Sequence, residues 1–158
     1  MSKFKPYKSV NKSDSLNLDQ IFESGILSKF LGVYSDEFYG GKYIQELELA
    51  FVDKFQVKHA ISVNSWTSGL MIAVGSLDIE PGDEIITVCN TFYATVGAIV
   101  ACGAKPVFVD CDDRFQINYK KIVSKITKKT KAIIPVHWGG ASPYMDEIMK
   151  ISKKYKVH

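Results

Sequence analysis

An α/β fold, with a mostly parallel sheet and helices on both faces, is the architecture predicted for this chain of 158 residues. Three observations predict it. Four short apolar runs recur at residues 60–63, 84–89, 106–110 and 132–137, each bounded by turn residues. The runs are apolar at consecutive positions instead of alternating, as strands buried between two helix layers are. A segment of helix length separates each run from the next, which is what parallel neighbours need for their crossovers.

Each element has its own signal. Residues 1–16 show no period and read as an extended arm. Asn17, Leu18, Asp19 and Gln20 have the form of a capping box. Ile21, Phe22, Ile26, Phe30 and Leu31 continue it as a helical apolar stripe, with Gly32 as the stop. After a Tyr- and Gly-rich loop over 33–42, Ile44, Leu47, Phe51 and Phe55 define a second amphipathic helix, whose Glu46 and Glu48 are expected to face water. Between the strands, helices are expected over about 67–77, 93–102 and 118–126. Ser142 and Pro143 offer an N-cap and first-turn pair for a last helix through Tyr155. With no repeat and no linker composition, residues 17–158 read as one doubly wound domain.

Composition narrows the function. An apolar fraction of 46% with 23% charged residues suits an ordered globular protein and excludes disorder. The net charge of +3 arises from nineteen Lys and the single Arg114. A Lys-only excess this small argues against a nucleic-acid partner, and the Lys-rich stretch 120–131 reads as a solvated helix face and loop. Cys89, Cys102 and Cys111 are odd in number and lack a C-x-x-C spacing. They suit packing in a reducing compartment better than a disulfide frame or a zinc site. No apolar signal segment opens the chain, and the longest apolar run, 93–104, is too short to span a bilayer. The expected location is the cytoplasm, with no membrane partner.

Chemistry concentrates at the ends of the apolar runs. In Ser62-Val63-Asn64-Ser65-Trp66-Thr67-Ser68-Gly69, a strand-like run enters a polar turn and opens a helix. A helix N-terminus has unpaired N–H groups and the positive end of the dipole, so such a corner can hold a phosphate. Ser65 or Thr67 capping its own helix is the alternative. Asn90-Thr91-Phe92-Tyr93-Ala94-Thr95 repeats the strand-to-helix layout, and Pro135-Val136-His137-Trp138-Gly139 ends the last run. In an open parallel sheet these loops converge on the crevice at the carboxyl ends of the strands. Asp110 and Asp112 lack further ligands at metal-binding spacing and read as strand-end and turn residues, so no metal is expected.

These stretches, with residues 41–48, 80–84 and 103–110, resemble in order and spacing the DegT/DnrJ/EryC1/StrS family of pyridoxal-phosphate-dependent sugar aminotransferases. The resemblance runs from about Asp19 to His158. It implies the N-terminal part of the large domain of the fold type I transferases, with pyridoxal 5'-phosphate as cofactor. By resemblance, the amides of Trp66 and Thr67 and the Thr67 hydroxyl anchor the phosphate, while Phe92 stacks on the cofactor ring, where the alternative is a core Phe. Most members have a small residue in place of Trp66. Ser65 and His137 become possible active-site residues, although a strand-end His is often only structural, and Tyr39 to Lys42 possible contacts to substrate or a second subunit. The implied reaction moves an amino group, typically from glutamate, to a keto-sugar on a nucleotide carrier. Polysaccharide or lipopolysaccharide assembly is the implied pathway, and a homodimer the implied complete enzyme.

The same resemblance puts the carboxylate that pairs with the cofactor's pyridine nitrogen just past His158, and the Schiff-base lysine further on. No catalytic residue is therefore expected among residues 1–158, which read as a fragment inactive by itself and prone to poor solubility. Two alternatives remain. A relative of the same fold replaces the lysine by histidine and dehydrates the sugar, and a non-catalytic remnant would bind a ligand or partner.

Overall fold

The computed structural model describes residues 9–26 and 29–158, with the side chains of residues 16 and 17 outside the description. The chain divides into two compact units, Met1–Ser62 and Val63–His158, although no linker composition marks that boundary.

In the first unit Lys12–Asn17 form a 3-10 turn that runs directly into helix α1 (Leu18–Ser24). Residues 12–16 are thus not extended, and residues 1–8 of the expected arm lie outside the described residues. A capping box forms at Asn11, six residues before the expected one. The Asn11 side chain accepts from the Ser13 N–H at 3.3 Å, and the Asp14 carboxylate accepts from the Asn11 N–H at 2.7 Å. The Asn17 side chain of the expected box lies outside the described residues. Helix α1 ends at Gly25 rather than Gly32. Gly25 takes φ +64°, and its N–H closes on the carbonyls of Ile21 and Phe22, a left-handed stop that costs glycine least.

Helix α2 (Lys42–Phe55) forms where the second stripe predicts it. Leu47, Phe51 and Phe55 on that stripe are nevertheless exposed. Glu46 faces water and pairs with Lys42 at 3.7 Å. Glu48 does not face water: its carboxylate is half-buried and accepts from the Ser62 N–H at 2.7 Å and the Ser62 hydroxyl at 2.9 Å. This removes a ladder donor from residues 60–63, which make no strand, because no strand among the described residues pairs with them.

The second unit contains α3 (Trp66–Gly75), β1 (Glu84–Val88), α4 (Tyr93–Ala101), β2 (Lys105–Val109), α5 (Tyr119–Ile122), β3 (Thr130–Ile134) and α6 (Met145–Tyr155). The three strands form a parallel sheet in the order β2-β1-β3. Alternation along the central strand β1 divides the core. Ile85 packs with Val74 of α3, Ile99 of α4, Ala104 and Ala132 on one face. Ile86 and Val88 pack with Val109, Ile122 of α5, Ile133 and Ile148 of α6 on the other. Both sheet faces are therefore covered, as the doubly apolar runs require. Between the layers, the buried Thr87 hydroxyl donates to the Ile134 carbonyl at 3.0 Å and ties β1 to β3.

Two boundaries differ from the sequence reading. The segment after Asn118 is α-helical only to Ile122 and finishes as a 3-10 turn over Val123–Lys125. Helix α6 starts at Met145, so Ser142 and Pro143 do not cap it. Tyr144 stands at the cap position in a non-helical conformation. Its ring packs edge-on against Tyr119 at 5.2 Å and under the Arg114 guanidinium at 4.0 Å, and that packing sets the start of the helix. At the outer edge of β3, His158 donates to the Lys131 carbonyl at 2.9 Å and accepts from the Ile133 N–H at 2.8 Å, the pairing pattern of a parallel ladder. No helix among the described residues is long and apolar enough to cross a membrane.

Candidate functional site

The crossovers locate the site. Helix α4, which follows β1, lies on one face of the sheet, whereas α5 and α6, which follow β2 and β3, lie on the other. The loop leaving β1 therefore diverges from both neighbours at the carboxyl edge, the arrangement that opens a crevice in doubly wound sheets. Helix α3 brings its N-terminus to the same edge. Near its C-terminus, Val74 packs on Ile85 and Ala104 at the amino ends of β1 and β2. One turn into α3, Leu70 packs instead on Ala94 and Ala98 of α4.

At that edge Ser65 caps α3 in extended conformation. Its hydroxyl oxygen accepts from the Ser68 N–H at 3.1 Å and lies 3.0 Å from the Ser68 hydroxyl. Ser65 thus does cap its own helix, and its oxygen is engaged there. Trp66 and Thr67, the first two helical residues, have N–H groups that no intrahelical carbonyl can reach. Both residues are exposed, Trp66 at 75%. The Thr67 hydroxyl makes no side-chain hydrogen bond among the described residues, so two amides and one hydroxyl are available to an anion.

Phe92 stands at the corresponding cap position of α4, where its carbonyl accepts from the Thr95 N–H at 3.1 Å. Thr91 donates to the buried Thr95 hydroxyl at 2.9 Å and fixes the turn. The Phe92 ring is 63% exposed and its centroid lies 4.3 Å from that of Tyr93, so it is not a core Phe in this unit. A flat aromatic face thus stands at the N-terminus of a helix packed directly on α3.

His137 follows β3 and is exposed. Its carbonyl accepts from the Gly140 N–H at 3.0 Å in a short 3-10 turn, with Gly139 at φ +61° and Gly140 at φ +81°. Sequence reasoning missed the residue that holds this turn. Gln116 is 1% exposed, donates from Nε2 to the Trp138 carbonyl at 3.1 Å and accepts from the Trp138 N–H at 3.3 Å. Gln116 is placed in turn by Asp112, whose Oδ1 accepts from the N–H groups of Arg114 at 2.9 Å and Gln116 at 3.1 Å. Burial pushes the Asp112 carboxyl up, but those two N–H groups and the Arg114 charge outweigh it and leave it below the usual carboxylate range. Asp112 is thus the turn residue expected of it. No sequence motif flags Gln116, a polar residue between Phe115 and Ile117 in an otherwise polar stretch.

Ser65, Trp66, Thr67, Phe92 and His137 all belong to the second unit and stand at the carboxyl edge of its sheet. Tyr39 to Lys42 belong to the first unit, where the backbone of Gly40 is buried and Tyr39 packs edge-on against Phe38 at 5.3 Å.

The fold and this edge define a class: a doubly wound α/β protein with a phosphate-type helix N-terminus beside an aromatic face. Residues 31–158 match the model of the DegT/DnrJ/EryC1/StrS aminotransferase family, and the chain belongs to that family. It is 36% identical over 155 residues to the spore coat polysaccharide biosynthesis protein SpsC of Bacillus subtilis, covering 96% of this chain and 37% of that one. To the GDP-perosamine synthase of Caulobacter vibrioides it is 41% identical over 118 residues, covering 74% and 32%. Among solved structures, an aminotransferase from Psychrobacter cryohalolentis superimposes with a TM-score of 0.85 at 29% identity, over 99% of this chain and 38% of that one. PseC of Helicobacter pylori, an aminotransferase of pseudoaminic acid biosynthesis, does so with 0.82 at 27% identity, over 94% and 38%. The chain has the pyridoxal-phosphate aminotransferase fold and spans about a third of the length of the curated relatives it matches.

Proposed function

We propose that this chain supplies the phosphate anchor and ring-stacking wall of a pyridoxal-phosphate-dependent enzyme. That enzyme transfers an amino group, with glutamate as donor, to a keto-sugar carried on a nucleotide. The observation that carries this reading is the pair of free first-turn amides at Trp66 and Thr67 beside the exposed Phe92 ring. The donor set fits the cofactor: two N–H groups, a hydroxyl and the positive end of a helix suit a phosphate dianion, and an exposed Phe suits a flat heteroaromatic ring. Bound there, pyridoxal phosphate supplies the electron sink through which nitrogen and protons are moved between donor and acceptor.

The chain's own residues bind and orient. Thr67 and the α3 amides fix the phosphate, and Phe92 sets the plane of the ring. His137 stands at the same edge, on a turn that Gln116 holds, and is the candidate to meet substrate or a proton there. Solved relatives in pyridoxal- and pyridoxamine-phosphate forms support the cofactor. The names of the relatives support a sugar substrate, and that of the GDP-perosamine synthase a nucleotide carrier. By the family resemblance the Schiff-base lysine falls outside residues 1–158, so the chain alone is expected to bind cofactor without transaminating. A cytoplasmic homodimer is the expected working form, and the exposed Leu47, Phe51 and Phe55 of α2 are the kind of surface that assembly covers.

The test is a titration of tryptophan fluorescence with pyridoxal phosphate. Thr67→Val is expected to weaken binding roughly ten-fold, the loss of one hydrogen bond to a charged group. Phe92→Ala is expected to weaken it roughly five-fold, the loss of one stacking contact. Borohydride reduction should leave the cofactor on no lysine stoichiometrically. Affinity unchanged in both variants, or a full equivalent fixed on one lysine, would overturn the reading.

A further inference from the structure

We propose that Cys89, Asp110 and Cys111 form a binding site for one thiophilic divalent cation of the zinc type. The parallel register assembles it. Val88 pairs with Val109, and the Cys89 N–H continues the ladder by donating to the Val109 carbonyl at 3.0 Å, so Cys89 stands beside Asp110 just past the two strand ends. An antiparallel bridge from Cys111 to Ile117 fixes the third backbone. The two sulfurs lie 3.7 Å apart, Cys89 Sγ lies 3.8 Å from Asp110 Oδ1, and all three ligand atoms lie within 4.8 Å of one another. Among the described residues this is the only such group.

The distances select the chemistry. Two thiolates bound at about 2.3 Å to a tetrahedral ion sit about 3.8 Å apart, and a thiolate and a carboxylate oxygen about 3.5 Å apart. The three atoms already stand close to those edges. A disulfide would need the sulfurs at about 2.0 Å, far inside the 3.7 Å observed. Two sulfur ligands exclude magnesium and calcium, which take oxygen, and select the softer ions.

The surroundings suit an ion as well. Asp110 is oriented from both sides: Oδ1 accepts from the Cys111 N–H at 2.9 Å, and Oδ2 from the Lys121 ammonium at 3.0 Å. Such outer partners hold ligating carboxylates in place. Entry is open, because Cys89 is exposed and Cys111 lines a hollow of about 470 Å3 together with Arg114, Asn118, Tyr119 and Tyr144. Three protein ligands leave the fourth position to water or a small ligand. On binding, each thiol releases its proton to solvent as its sulfur–metal bond forms. No electron moves, and no oxidant is required.

The test uses the full chain, reduced, with cobalt(II) alone. One equivalent is expected to produce thiolate-to-cobalt charge-transfer absorbance that zinc(II) abolishes by displacement. Cys89→Ser and Cys111→Ser each remove the band, Asp110→Asn weakens affinity by at least about ten-fold, and Cys102→Ser changes nothing. Cys102 is the internal control, since its sulfur approaches the Met71 carbonyl at 3.5 Å instead. Circular dichroism of each variant checks that the fold is retained. Absence of the band in the folded wild type, or its survival in folded Cys89→Ser, overturns the site. So does a Cys89–Cys111 disulfide forming with an oxidised small-molecule thiol under saturating zinc. None of these readouts involves pyridoxal phosphate, so the site and the proposed activity stand or fall separately.

Discussion

Gln116 is the most informative residue to perturb, because it is nearly inaccessible and spends both ends of its amide on the backbone of one residue of the His137 turn. Gln116→Met keeps an unbranched chain of similar volume and removes both bonds. The Trp138 carbonyl retains a partner in the Ala141 N–H at 3.1 Å, whereas the Trp138 N–H loses the Gln116 oxygen. Two neutral hydrogen bonds at about 1 kcal/mol each, with the added cost of one stranded donor, give a loss of about 2–3 kcal/mol. For a chain of this length that is a fall of about 5–10 °C in the thermal midpoint followed by far-ultraviolet circular dichroism. Gln116→Glu sharpens the test. Its carboxylate can accept from the Trp138 N–H but has no donor for the carbonyl, so oxygen faces oxygen. Burial raises such a carboxyl above its unfolded value, so the variant's stability is highest in acid and is lost as pH rises through that raised value. Its deficit relative to wild type should therefore narrow on acidification. A Met variant melting within about 1 °C of wild type, or a Glu variant matching wild type at neutral pH, would refute the clamp.

Three further outcomes follow from the same structure. Ser65→Ala should cost about 1 kcal/mol in urea unfolding and Ser65→Gly only a few tenths, since the hydroxyl caps the Ser68 N–H. Thr87→Val fills the same volume without the hydroxyl that reaches the Ile134 carbonyl, so it should cost about 1 kcal/mol, with faster amide exchange in β3. Asp112 sits below the usual carboxylate range in the folded chain, so its contribution is present above that range and lost as pH falls through the lowered folded value. Thermal midpoints of wild type and Asp112→Asn should accordingly differ at neutral pH and converge in acid.

Most of the second unit was legible as pattern. Runs apolar on both faces can be buried only between helix layers, and β1, β2 and β3 all fall within or beside the runs at 84–89, 106–110 and 132–137. What pattern could not supply was pairing. Residues 60–63 carry the same apolar signal, yet a strand exists only if another strand takes its hydrogen bonds, and here Glu48 takes the Ser62 donors instead. The helix stop failed for a related reason. Gly25 and Gly32 read alike, and local rules do not choose between equal candidates. Gln116 and the Cys89–Asp110–Cys111 group were illegible because each depends on neighbours far apart in the chain that only strand register brings together.

The placement of the candidate residues at one sheet edge was legible because two different signals coincide there. The helix-opening turns at Ser65 and Phe92 could be read locally, and the sheet logic placed both at the carboxyl edge. The structure adds why the apolar residues at those turns stay uncovered. In α4, Ala94, Thr95, Ala98 and Ile99 are buried while Phe92 and Tyr93 at its start are exposed, so the helix packs along one stripe that leaves those two rings uncovered. Trp66 at the start of α3 is exposed in the same way. The Trp66 and Thr67 amides at the start of α3 likewise lack an intrahelical partner. Unpaired amides and uncovered rings therefore stand at one sheet edge. An exposed aromatic costs burial energy, and under the proposed function a ligand anionic at one end and flat at the other would recover it.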